Sequence, residues 1–150
     1  MAITVGLLAG LVAAPVEAKK KKKKKPSVTF TAEGSLVAAN PLDLMGAGIT
    51  RNAFLETCSI PPTQGTDGYV VEVTGKIGKV QSDISVKGSD ATGGPDLDMY
   101  LYSETCSPMG EYSTASLDEF GVMLPGTKYV VITAFLGADI TFTVEATEIR

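Results

Sequence analysis

A chain of 150 residues, 44% of them hydrophobic, can bury one sizeable core, and its length fits a single domain with a tail. It contains no histidine, which excludes a Ser-His-Asp or Cys-His nucleophile and any histidine-ligated zinc or iron site. Seven of its thirteen basic residues lie in Lys19 to Lys25. Residues 26 to 150 therefore carry six basic and sixteen acidic side chains, a net charge of about −10, and such a body repels the phosphate backbone of nucleic acid.

The chain starts with an apolar stretch from Ile3 to Val16 that is too short to span a bilayer comfortably and ends in Val16-Glu17-Ala18, small at the two positions a signal peptidase reads. The expectation is a signal peptide over residues 1–18, cleaved after Ala18, although no Lys or Arg precedes the apolar stretch; an uncleaved anchor is the alternative. Residues 19–26, seven lysines closed by Pro26, bury no apolar surface and repel one another, so they form a solvated leader. That leader serves as a spacer or as an electrostatic adhesive for anionic envelope polymers.

From residue 27 the chain reads as short strands. Val28, Phe30 and Ala32 alternate with polar neighbours, and Gly34 closes that run unless Leu36 to Ala39 continue it. Pro41 to Thr50 fits either a helical turn or an edge loop. Asn52 to Cys58 reads as a short strand, followed by a turn-rich loop from Ile60 to Gly68. Tyr69, Val71 and Val73 share one strand face, and Ile84 and Val86 share another. Gly88 to Pro95 is a loop into Asp96–Tyr102, where Leu97, Met99 and Leu101 alternate with Asp98, Tyr100 and Tyr102 as in a core strand with one buried face.

Ser103 to Gly110 reads as a loop, followed by weaker strands at Tyr112–Ala115 and Leu117–Phe120. Leu124-Pro125-Gly126-Thr127 has the Pro-Gly centre of a type II turn. Tyr129–Phe135 is apolar on both faces but for Thr133, the mark of a mid-sheet strand whose second side is also covered. Ile140, Phe142, Val144 and Ala146 form a last strand with one wet face. About eight short strands with turn punctuation predict an all-β fold, an antiparallel β-sandwich over residues 27–150.

Three runs resemble the bacterial pre-peptidase C-terminal domain family. Asp96-Leu97-Asp98-Met99-Tyr100-Leu101-Tyr102 is similar to the family's D-L-D-L-Y-L strand, and Pro125-Gly126-Thr127-Lys128-Tyr129-Val130-Val131 is similar to its P-G-T-Y-Y-V turn and strand. Ile140-Thr141-Phe142-Thr143-Val144 is similar to its closing strand. The resemblance implies a secreted sandwich of jelly-roll type that aids substrate binding, surface attachment or solubility beside a hydrolase. The 150 residues hold no such catalytic partner, which is a departure from the family's plan.

The candidate chemistry is sparse. Serine with lysine as base is left formally open by Lys76, Lys79, Lys87 and Lys128, but no S-x-x-K motif and no phosphate-cradling glycine loop occurs, so no enzyme is expected. Cys58 and Cys106, an even pair in a chain that reads as exported, predict a disulfide worth on the order of 4 kcal/mol of unfolded-chain entropy. Asp96 and Asp98 project from one strand face, with Asp90 in the loop before them. Three carboxylates so placed either hold Ca²⁺ as a cofactor or cap the strand and stay hydrated. Tyr100, Tyr102 and Tyr112 are candidates for an aromatic ligand platform; the competing reading packs them beneath a second layer.

These readings make the chain a secreted or cell-envelope binding or adhesion module for a cell-wall polymer or an extracellular protein, with no nucleic-acid partner and no membrane span after cleavage. The alternative is a structural envelope protein acting through self-association or its lysine leader.

Overall fold

The computed structural model describes residues 27–36, 49–62, 65, 67–89, 96–135 and 139–150. The signal peptide and lysine leader expected over residues 1–26 lie outside the described residues, as does Asp90.

Among the described residues the regular structure is eight strands, one α-helix and a short 3₁₀ turn at Ile77–Lys79: β1 Thr29–Leu36, α1 Ile49–Thr57, β2 Gly68–Glu72, β3 Ser82–Ser89, β4 Asp96–Ser103, β5 Pro108–Tyr112, β6 Asp118–Met123, β7 Thr127–Phe135 and β8 Ile140–Glu148. They form two four-stranded sheets in the orders β1-β8-β3-β6 and β2-β7-β4-β5, antiparallel at every pairing. Every connection passes between the sheets except the β4–β5 hairpin, which is the strand order of a jelly-roll sandwich.

Period-2 alternation builds the core between the sheets. Leu97, Met99 and Leu101 of β4 and Val130 and Ile132 of β7 face Ile84 and Val86 of β3 and Ile140, Phe142 and Val144 of β8, all buried. Between Met123 and β7, Gly126 has φ +98° and the Thr127 amide donates to the Leu124 carbonyl at 3.2 Å, so Leu124–Thr127 closes as the expected Pro-Gly turn.

Two local expectations are corrected. Asn52–Cys58 is not a strand: Asn52–Thr57 forms most of α1, and Cys58 follows its end. Thr50, Arg51, Phe54 and Cys58 are spaced by one, three and four residues, which gathers them on one side of a helix. Of these, Phe54 is fully buried while Asn52, Leu55 and Glu56 face solvent. The second correction is at the hairpin: the strand after β4 is Pro108–Tyr112, ahead of the expected Tyr112–Ala115, and the next runs to Met123. Pro108 and Gly110 suggested a loop, but β5 is an edge strand, where a missing amide donor is tolerated.

Candidate functional site

The two outer faces of the sandwich differ. On the β2-β7-β4-β5 sheet, α1 lies across the outward residues of β4 and β7. Phe54 packs against Tyr102 (centroids 5.4 Å apart) and edge-on to Tyr129 (5.0 Å), in a second apolar cluster with Val70, Tyr100 and Val131. The Arg51 guanidinium stacks on the Tyr100 ring, and its Nε–H donates to the Tyr102 hydroxyl at 2.8 Å. At the start of the helix the buried Asp67 carboxylate accepts from the Thr50 amide (3.2 Å) and hydroxyl (2.6 Å), satisfying an otherwise orphaned helix N–H. At its far end Cys58 is bonded to Cys106 in the β4–β5 turn, with S–S 2.08 Å and Cα–Cα 5.7 Å.

This cover decides where the residues singled out in the sequence sit. Tyr100 and Tyr102 are 8% and 2% exposed, so they form no surface platform; the helix occupies the face they would have presented. Burial, with the nearby Asp98 charge, pushes the Tyr100 phenol up to about 12. Tyr112 is half-buried at the other margin, where its hydroxyl donates to the Val122 carbonyl and accepts from the Val122 amide, both at 2.8 Å.

Asp96 and Asp98 do share a face, but each is engaged separately. Asp96 accepts from the Ser116 amide at 3.0 Å, and Asp98 accepts from the Tyr100 hydroxyl at 3.2 Å. Burial raises the Asp96 carboxyl above its usual range; the Ser116 amide opposes this, and the charges of Asp98 and Glu119 add to it. Among the described residues no group of three or more Asp, Glu, Cys or His is placed to hold a metal ion.

Among the described residues, no helix lies on the outer face of the β1-β8-β3-β6 sheet. Its register aligns Glu33 with Thr143 and Thr143 with Lys87, and two residues along aligns Ser35 with Thr141 and Thr141 with Ser89. Period-2 alternation turns these six polar side chains to the same side, as a grid of two rows about 6.7 Å apart on strands about 4.8 Å apart. Between the rows lies Gly34–Phe142–Gly88, whose central ring is buried and packs edge-on against Tyr69 at 5.5 Å. A Cβ at Gly34 would overlap that ring.

An open hollow of about 510 Å³ is lined by the six grid residues with Gly34, Tyr69 and Phe142. Lys87 is paired with Glu145 at 3.1 Å, whereas the carboxylate of Glu33 and the hydroxyls of Ser35, Tyr69, Ser89, Thr141 and Thr143 have no hydrogen-bond partner among the described residues. Sequence reasoning passed over these residues as the wet side of amphipathic strands. The alternation was legible, but the register that gathers them was not.

What fold and site define together is a disulfide-stapled jelly-roll sandwich with one helix-covered face and one polar face left open by the described residues. No family model matches the sequence, and no curated protein matches it. Among solved structures it is similar to PliG of Aeromonas hydrophila, a periplasmic lysozyme inhibitor of g-type lysozyme, at 10% identity and a TM-score of 0.36, over 86% of this chain and 92% of that one.

Proposed function

We propose that this protein is a non-catalytic binding module of the cell envelope or exterior, and that its ligand face is the open β1-β8-β3-β6 sheet. One contrast carries the reading. Beneath and beside α1, polar side chains are spent on internal bonds: Asp67 with Thr50, Arg51 with Tyr102, Asp98 with Tyr100 and Asp96 with Ser116. Around the hollow the hydroxyls and Glu33 remain available to a partner. Such groups are fully hydrated when free, so a ligand that replaces water with matched partners gains specificity at little cost to the fold.

The compartment follows from the cross-link and the N-terminal sequence. A disulfide between two half-exposed cysteines persists in an oxidising environment, and the apolar stretch ending at Ala18 reads as an export signal. The jelly-roll strand order supports the resemblance to the pre-peptidase C-terminal domain, whose attachment role belongs to the same reading. No described helix is long and apolar enough to cross a membrane.

The test is retention of the purified protein on immobilised cell-wall polysaccharide, chitin and collagen-like protein, comparing it with a Glu33→Ala/Thr143→Ala variant and with the seven leader lysines replaced by serine. Retention lost in the first variant supports the open-sheet module. Retention lost only with the lysines would assign attachment to the leader instead.

A further inference from the structure

Resting on the reading of the open sheet as a binding face, we infer that the hollow beside Glu33 takes a segment of an uncharged glycan chain. Its chemistry discriminates among ligand classes. One free carboxylate and one lysine already neutralised by Glu145 leave the site with no spare positive charge, so polyanions are repelled. Phe142, its largest apolar side chain, is 3% exposed and packed inward, so the hollow offers no greasy floor for lipid or for an apolar peptide anchor.

What it does offer is four hydroxyls at the spacing of adjacent strands and that of Tyr69 from the facing sheet, each both donor and acceptor, and a carboxylate able to accept from two neighbouring hydroxyls at once. A polyhydroxylated ring matches that inventory group for group. The half-buried Tyr69 adds an aromatic edge to one wall. The volume falls within the ~300–1,000 Å³ of small-ligand sites, and the hollow is open rather than enclosed, which lets a polymer run through it.

The experiment is a chemical-shift titration of the full chain with four probes: a neutral β-linked gluco-oligosaccharide, its N-acetylated counterpart, polyphosphate and an acidic peptide. The expected result is saturable shifts at Glu33, Ser35, Ser89, Thr141 and Thr143 with a neutral sugar. Glu33→Gln should weaken binding about tenfold, as loss of a hydrogen bond to a charged group does, while leaving the urea midpoint unchanged. Shifts at these residues with polyphosphate or peptide but with neither sugar would overturn the ligand class and leave the binding-module reading standing. Silence from all four probes, or sugar-induced shifts confined to other surfaces, would overturn the inference; silence combined with no retention in the pull-down would remove the binding-module reading as well.

Discussion

The guanidinium of Arg51 lies 3.6 Å from the centroid of the Tyr100 ring while its Nε–H is bonded to the hydroxyl of Tyr102. One helical residue thus locks alternate residues of β4, and with Phe54 it explains why α1 sits where it does. A planar, delocalised cation stacks and donates sideways at once; an ammonium does not.

Arg51→Lys is therefore expected to lose about 1–2 kcal/mol of stability despite keeping the charge, since stacking and the hydrogen bond to Tyr102 go together. Urea unfolding of the two proteins measures this. A loss under a few tenths of a kcal/mol would mean that the stack contributes little.

Tyr100 sets the alkaline limit. The unfolded chain gives up this phenolic proton near pH 10, while the folded protein holds it to about 12, so the unfolded state is favoured progressively as pH rises between those values. By linkage the loss is at most about 3 kcal/mol. Tyr100→Phe should flatten that part of the stability profile, read by thermal melts from pH 9 to 12.

Both cysteines have left-handed backbone, Cys58 at φ 50° and Cys106 at φ 56°, positions that glycine adopts without cost. Replacing both with alanine should cost about 4 kcal/mol from the lost cross-link over 48 residues of sequence separation, plus residual strain. The double glycine variant should be about 1–2 kcal/mol more stable than the double alanine one. Equal urea midpoints for the two variants would contradict the backbone argument.

Tyr112 lies across Gly121 of β6, where an added Cβ would overlap its ring, and the ring is held by the two hydrogen bonds between its hydroxyl and Val122. Gly121→Ala is expected to cost about 1–3 kcal/mol by overpacking, and Tyr112→Phe about 1–3 kcal/mol by stripping a partner from the Val122 amide. A double-mutant cycle should show strong coupling, because both changes act on one contact.

Asp96 has its carboxyl raised by burial, so the charged form opposes folding; stability attributable to this group falls as pH rises through the carboxylate range. Asp96→Asn keeps an acceptor for the Ser116 amide and should raise the melting temperature at pH 7, with little effect at pH 3. Glu148 runs the other way. The Val28 amide and then Arg150 hold it below its usual range, so its contribution is lost on acidification, and melts of Glu148→Gln should differ from the parent at neutral pH more than at pH 3.

The alternation at Asp96–Tyr102 and Ile140–Ala146 placed the sandwich core correctly because a strand's two faces are written at period two, whatever its neighbours. Tyr129–Phe135, apolar on both sides, even announced a second covering layer. That the cover is Asn52–Cys58 was readable only as a faint stripe of Thr50, Arg51, Phe54 and Cys58. A seven-residue run whose two large apolar residues, Phe54 and Leu55, are adjacent gives helical and extended periodicities almost equal weight.

The composition and local pattern of the chain thus determined its class: an acidic, histidine-free, two-layered β domain with a pair of cysteines able to bridge. Only the tertiary structure decided that Tyr100 and Tyr102 are buried beneath Arg51 and Phe54 and that Glu33, Thr143 and Lys87 stand in one row. Burial against a specific neighbour and alignment between strands are properties of register and docking, and these join residues more than forty positions apart, beyond the reach of any local repeat.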